Sequence, residues 1–414
     1  MKQKILKLLF VIACLFGTNN VSAYDFMVDG IYYSVVSWEE LTCKVVRGST
    51  GYQGNIVIPE QIFVAADQVF TVVEIDKYVF QAMSGLTSVV LPNTITEIGK
   101  GAFSKNTDLQ SVTLSNSITK ISDEMFYECT GITNLTIPNS VTEICGYAFY
   151  ASGLTNITIP SSVTKIGTYA FYINKSLTSV KIDNAAVEID SAAFLMCSNL
   201  TNLELGNSIV SIGYRAFDDC ESLTSLTIPN SITKIGEEAF YGCRNLTSVI
   251  IGNSATEVGS IEVGPKAFIS CGFTNLVLGN SVTKIDERAF YQCKNLTSVV
   301  IPNSVAAIGN HAFSGCTALT DVVIGNSADE AGSTEIGSWV FRECTALSNV
   351  VIGDAVTKIG SHAFWYCNGL TSITIGNNVT EIGERAFEEC RALTSIVIPN
   401  SVTTIGAYAY YNCI

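Results

Sequence analysis

Apolar residues recur along this chain in one fixed order. In Leu223–Cys243, LTSLTIPNSITKIGEEAFYGC, Leu223, Leu226 and Ile228 precede a Pro229-Asn230 break, and Ile232, Ile235, Gly236, Ala239-Phe240 and Cys243 follow it. With Leu223 as position 1, the apolar set occupies positions 1, 4, 6, 10, 13, 17, 18 and 21. Position 18 recurs at Phe80, Phe103, Phe126, Phe149, Phe171, Phe194, Phe217, Phe240, Phe268, Phe290, Phe313, Phe341, Phe364, Phe387 and Tyr410. Ten of these fourteen steps are 23 residues long, two are 22 and two are 28. A fixed period of this size marks a solenoid, in which each repeat is one coil and stacking buries the face that no coil can bury alone.

The pattern inside a coil predicts its elements. Alternation at positions 4 and 6 predicts a short strand. Pro or Gly at position 7 and Asn at position 8 turn the chain, and Val/Ile-Thr-x-Ile at positions 10–13 gives a second extended segment. Gly at position 14 (Gly99, Gly213, Gly236, Gly309, Gly383) predicts a corner with positive φ. The x-x-Ala-Phe-x-x-Cys stretch predicts one helical or 3₁₀ turn with Phe directed inward. The expected architecture is a β-rich solenoid of about fifteen 23-residue coils with short parallel strands and helical or 3₁₀ turns. Fourteen full coils begin at Leu86, Leu109, Ile132, Leu154, Leu177, Leu200, Leu223, Leu246, Phe273, Leu296, Leu319, Leu347, Leu370 and Leu393. At about 4.8 Å per coil the array extends on the order of 70 Å.

Three divisions follow. Residues 1–23 read as a signal peptide, with Lys2, Lys4 and Lys7 before an apolar Leu8–Gly17 and a Val21-Ser22-Ala23 cleavage site. Val11-Ile12-Ala13-Cys14 also has the form of a lipobox, so a lipoprotein anchor at Cys14 is the alternative to cleavage after Ala23. Residues 24–70 read as an N-terminal β-hairpin cap, because Phe26–Val28 and Ile31–Val36 flank an Asp29-Gly30 turn. Leu41–Val46 and Asn55–Ile58 are further strand candidates, and the solenoid occupies 71–414. No stretch is long and apolar enough for a transmembrane helix.

Composition changes the picture in one respect. Charged residues make up only 14% and the net charge is −14, or −17 once Lys2, Lys4 and Lys7 are removed, which disfavours nucleic acid and anionic membranes as partners. Candidate chemistry is sparse. Eleven of the fourteen cysteines stand at position 21, and stacked side chains there point in parallel, which predicts buried free thiols and not disulfides. Met83, Asn106, Ser152 and Asn174 replace them in four coils, so the slot calls for a small or medium group. No C-x-x-C pair suggests zinc. His311 and His362 occupy a variable slot two residues before Phe and read as solvated. The two 28-residue steps insert five residues between positions 10 and 17, in Ser254–Lys266 and Ser327–Trp339, and their carboxylates (Glu257, Glu262, Asp329, Glu330, Glu335) lack a calcium-loop pattern. Neither a nucleophile elbow nor a phosphate loop is present, so no catalytic residue, metal or cofactor is expected and the chain does not read as an enzyme.

The unit L-x-x-L-x-I-P-x-S-[VI]-T-x-I-G-x-x-A-F-x-x-C, plain in Leu296–Cys316, resembles the BspA-like class of leucine-rich repeats over about residues 70–414. Asp29-Gly30-Ile31-Tyr32-Tyr33 is similar to the start these proteins often have. One departure is Ser, in place of Asn or Cys, at position 9. The resemblance implies a right-handed leucine-rich-repeat coil and a secreted or cell-surface protein that adheres to proteins of the host matrix or of other cells. An envelope component that captures carbohydrate is the alternative. It would want aromatic platforms on the exposed strand face.

Position 5 lies between two inward positions and so faces outward from the strand. It is Thr or charged through much of the first half and apolar at Ile250, Val277, Val300, Val323 and Val351, with Thr, Ser, Asn or Asp beside it. These five residues are the candidate ligand-binding stripe.

Overall fold

The computed structural model describes residues 24–65, 68–252, 259–325 and 333–413. The signal-peptide reading of residues 1–23, Cys14 included, lies outside them, as do Glu257, Asp329 and Glu330.

Most coils bury the eight positions that the pattern marked, whereas the last coil leaves Ile398 and Ile405 exposed. In the coil of Leu223, the side chains of Leu223, Leu226, Ile228, Ile232, Ile235, Ala239, Phe240 and Cys243 are all closed to solvent. The coils stack in parallel on three ribbons. One is a 13-stranded sheet of very short strands at positions 12–13, from Lys120–Ile121 to Thr404–Ile405, paired in register coil by coil. The second comprises the leading strands at positions 3–6, which fall into four separate parallel sheets. Their members are Gly54–Val57, Leu86–Val90 and Ser111–Thr113; Asn156–Ile159, Ser179–Ile182 and Asn202–Glu204; Ser225–Ile228, Ser248–Ile251 and Asn275–Leu278; and Ser298–Ile301, Asp321–Ile324, Asn349–Ile352 and Ser372–Ile375.

The third ribbon corrects the expectation of helical turns. The x-x-Ala-Phe-x-x-Cys stretch forms consecutive tight turns and no helix among the described residues. Residues two before and two after each Phe adopt the left-handed region, as at Arg215 (φ 51°), Asp219 (φ 55°) and Glu238 (φ 56°). This alternation turns successive amides in opposite directions. Ala239 and Tyr241 donate back within their own coil, to Gly236 and Glu238, while Phe240 donates to Ala267 of the next coil. From Phe80 to Phe387 every position-18 amide makes that inter-coil bond, at 2.7–3.1 Å. A helix would direct all these amides along its own axis and leave the coils unjoined.

The position-14 glycines are a second correction. Their φ angles are not positive; the left-handed glycines are Gly30, Gly51, Gly54, Gly85, Gly101, Gly242, Gly252, Gly315 and Gly325. What position 14 requires is close approach: a Cβ on Gly236 would meet the Gly213 carbonyl carbon at 2.5 Å.

The inserted residues are a third correction. Glu262 pairs with Lys234 and Glu335 with Ala307, so both glutamates lie in the following strand and the insertions precede it.

The core runs the length of the coil. Phenylalanine rings at position 18 stack face to face from Phe80 to Phe387 and onto Tyr410, with centroids 4.8–5.6 Å apart. Beside them, each position-21 thiol donates to the carbonyl of the preceding coil's Phe at 3.0–3.4 Å. Asn106 and Asn174 supply the same donor with their amide nitrogens, to Phe80 and Phe149. In these coils the slot therefore holds a donor to the Phe carbonyl, whereas Met83 fills it without one and Ser152 donates to Asn174. All thirteen described cysteines are unbridged.

At the N-terminal end, Phe26–Val28 pairs antiparallel with Ile31–Ser37 through Asp29-Gly30, whose positive φ angles (49° and 78°) suit the tight turn. Ile31–Ser37 pairs with Thr42–Val46, which runs parallel to Gln68–Ile75, and that strand in turn pairs with Glu97–Ile98 of the first full coil. Parallel pairing on the leading side already begins with Gly54–Val57 against Leu86–Val90.

Candidate binding face

The candidate stripe lies on the leading strands. Burial of positions 4 and 6 at Val249 and Ile251, or Val299 and Ile301, forces the residue between them outward. Val277 is 36% exposed and Val300 60%, while Ile250, Val323 and Val351 are half-buried against their neighbours. Register aligns them directly: Ile250 faces Val277, Val300 faces Val323, and Val323 faces Val351. One step is not paired. The sheet ends at Asn275–Leu278 and restarts at Ser298–Ile301, and Val300, on the restarting strand, is the most exposed of the five.

The polar margin is held in place by the backbone. Hydroxyls of Thr247, Thr274, Thr297, Thr320 and Ser348 each donate to the position-2 carbonyl of the coil before. Asn275 donates to Ser248, and Asn349 to Asp321, across the next position. The result is a narrow apolar column with a fixed margin of hydroxyl and amide groups, in which Asp321 is the one ionisable side chain among positions 2 to 5 of these five coils. Such a surface offers contact area and hydrogen bonds.

The opposite, turn-lined ribbon carries what the sequence reading missed. Positions 16 and 19 project on one side of the turns, and where both hold rings they form stacked groups. Tyr127 lies on Tyr150 at 4.3 Å and Tyr147 on Tyr169 at 5.0 Å. Further along, Trp339 is sandwiched between His311 at 6.0 Å and His362 at 3.8 Å, and the Arg342 guanidinium lies over both Trp339 and Trp365. The histidines are therefore half-buried in a ring stack and not solvated as expected. Burial, aided by neighbouring arginines, holds both below the ordinary histidine pKa, which favours the neutral ring. The signal for this cluster was a 16/19 periodicity of aromatics, visible only once the turns were known not to be helical.

Among the described residues, no group of three His, Cys, Asp or Glu side chains is placed to hold a metal ion. Burial raises the ladder thiols far out of the reactive range, with Cys197, Cys316 and Cys367 pushed up to about 12. No helix among the described residues is long and apolar enough to cross a membrane.

A solved leucine-rich repeat protein from Bacteroides ovatus is 28% identical, over 94% of this chain and 93% of that one, with a TM-score of 0.67. A leucine rich cell surface protein from Faecalibacterium prausnitzii is 24% identical over 94% and 86% of the two chains, with a TM-score of 0.30. A leucine-rich repeat protein from Eubacterium ventriosum is 19% identical over 93% of each, with a TM-score of 0.37. No curated protein matches. The family described as "BspA type Leucine rich repeat region (6 copies)" matches residues 66–178, 165–262, 261–334 and 330–414. By that match, which runs through all the full coils, the chain belongs to the BspA-type leucine-rich-repeat family.

Proposed function

We propose that this chain is an exported, surface-held or secreted binding protein that adheres to proteins of the host matrix or of other cells through its leading-strand face, with no catalytic role. The observation that carries this reading is the outward column Ile250, Val277, Val300, Val323 and Val351 inside a fixed polar margin, which has the make-up of a protein contact site. Its residues come from stacked strands paired at every step except that between Val277 and Val300, so binding orders little new backbone elsewhere along the column. Export is supported by the Lys2-Lys4-Lys7 and Leu8–Gly17 pattern. The N-terminal strands serve as the cap of the first coil, supported by Tyr52 against Phe80 at 4.9 Å and by Phe26 and Trp38 on Phe70.

The test replaces Val277, Val300 and Val323 with Lys. Purified parent and triple variant are titrated onto immobilised, decellularised matrix and onto intact bacterial cells. Parent binding should saturate and the variant should bind at least about tenfold more weakly at an unchanged melting temperature. Equal binding by a folded variant removes the column from the reading. Protease shaving of intact producing cells tests the location.

A glycan-binding reading has one observation in its favour, the tyrosine group of Tyr127, Tyr147, Tyr150, Tyr169 and Tyr172, although it lies on the turn ribbon and not on the strand face. Binding that survives the triple Lys variant and is lost in Tyr147→Ala/Tyr169→Ala would favour it.

A further inference from the structure

A cleft of about 220 Å³ opens at the N-terminal end, far in sequence from the apolar column. Its walls are the hairpin turn Val28–Ile31 on one side and the strand Gly54–Val57, with Pro59, on the other. Tyr33 lines it from within. Its side chain is fully buried, and its hydroxyl, shut off from solvent, has no hydrogen-bond partner among the described residues. Buried hydroxyls almost always have one. Burial, the largest influence on this group, holds it well above the ordinary tyrosine pKa, so it stays a neutral donor.

The second wall is a strand edge. Among the described residues Gly54–Val57 is the terminal strand of its sheet and pairs on one side only, with Leu86–Val90. On the paired side the amides of Gly54 and Ile58 donate to Gly85 and Val90. Asn55 and Val57, between them, turn their backbone groups toward the open side. Native edges are commonly blunted by charge, proline or a covering element. Here Val57 is 63% exposed and Gly54–Val57 contains no charged residue. The Asn55 carboxamide oxygen is already engaged by Thr87 and Ser88, which fixes that side chain at the rim.

We propose that this cleft is a second binding site, which takes an extended polypeptide segment of a partner protein by strand addition to Gly54–Val57. Backbone pairing supplies the attachment, and one side chain enters the cleft with an oxygen within reach of the Tyr33 hydroxyl. A polypeptide is the occupant because only a peptide backbone repeats donors and acceptors at the spacing of a strand edge. The cleft adds the selectivity: it has room for on the order of seven waters, enough for one medium side chain, and a polar floor under apolar walls of Val28, Ile31, Ile56 and Val57.

The test starts from a random-sequence heptapeptide phage library selected on the purified full chain. Enriched peptides are synthesised with a fluorophore and titrated by anisotropy. Binding should fall at least tenfold when alternate peptide nitrogens are methylated and should hold when the intervening ones are. Tyr33→Phe, which removes one oxygen, should weaken it at least fivefold, and Val57→Pro should abolish it. The triple Lys variant of the apolar column should bind the peptides like the parent, which separates this site from the strand face. If Val57→Pro does not fold, the methylation series and Tyr33→Phe decide the matter. No enrichment, no alternation in the methylation series, or undiminished binding by Tyr33→Phe overturns the proposal. So does a concentration-dependent dimer in sedimentation that Val57→Pro disperses, since a second copy of this chain then occupies the edge.

Discussion

Asp218 is the residue whose environment has the clearest measurable consequence. It occupies position 19, where neighbouring coils place Leu195 and Tyr241, and its side chain is fully buried. Arg215 donates to one carboxylate oxygen, while the other is closed to solvent and has no partner among the described residues. Burial outweighs the arginine and pushes the pKa up to about 6, from an ordinary value of 3.8. A folded-state pKa above the unfolded one means that folding takes up a proton between those values. The contribution to stability is present in full below about pH 4 and is lost as pH rises through 6, by at most about 3 kcal/mol. Asp218→Asn should remove that dependence: the stability difference between parent and variant, from denaturant titrations at pH 4 and pH 8, should shift toward the variant at the higher pH. A difference independent of pH would place the carboxylate in water. The thiols give a second check at this scale. Among the thirteen described cysteines of the native protein only Cys145 and Cys413 are half-exposed, so of these an alkylating reagent should modify at most those two. Denatured without reductant, all thirteen described cysteines should react, and blocked thiols at that stage would mean bridges that the parallel ladder forbids.

At the scale of the element, the coil is a unit whose inward face was legible in the sequence and whose backbone was not. Leu226 and Ile228, or Ile232 and Ile235, announce strands because apolar side chains must alternate or skip in step with the backbone. The turn ribbon hid itself because its left-handed positions hold Tyr147, Glu238, Arg288, His311 and Trp339, none of which signals positive φ. Left-handed geometry costs such residues about 1 kcal/mol each, and what offsets it is an inter-coil hydrogen bond that a single coil cannot make. The same holds for Thr at positions 2 and 11: Thr247 bonds Thr224 and Thr380 bonds Thr357, so each threonine answers to the coil before it. The candidate column was readable for a related reason, since outward direction at Val277 and Val300 follows from burial at positions 4 and 6 alone. The ring cluster around Trp339 was not, because its partners come from three coils. Phe240 tests the coil as a unit. It is fully buried between Phe217 at 5.3 Å and Phe268 at 5.1 Å, and Phe240→Ala should cost about 3–5 kcal/mol. A loss under about 1 kcal/mol in chemical denaturation would mean that the neighbouring rings close the gap.

Over the whole molecule the three ribbons differ in continuity, and that difference sets where the solenoid yields. The turn ribbon is joined at every coil from Phe80 to Phe387, and the following strands from Lys120 to Ile405 form one sheet. The leading strands are interrupted after Ser111–Thr113, after Asn202–Glu204 and again after Asn275–Leu278. Position 2 reports the same breaks: Thr201, Thr247, Thr320 and Thr371 donate their amides to the preceding coil. Thr133, Thr224 and Thr297, each at a break, make no such bond among the described residues. A stacked array in which each coil touches only its neighbours opens where one interface is weakest. Two sides held and one side cut make each break a hinge, with the leading face free to splay while the core rings stay stacked. The third hinge falls between Val277 and Val300, inside the candidate column, so a partner lying along the column must bridge it. Hydrogen exchange on the free protein should show amides at Thr224 and Thr297 exchanging at least about tenfold faster than those at Thr247 and Thr320. Gly236 and Gly309, whose amides donate across the continuous ribbon to Ile212 and Ile285, should stay protected in the same coils. Equal protection along the leading strands would mean that the four sheets behave as one, and that the column is a rigid surface from Ile250 to Val351.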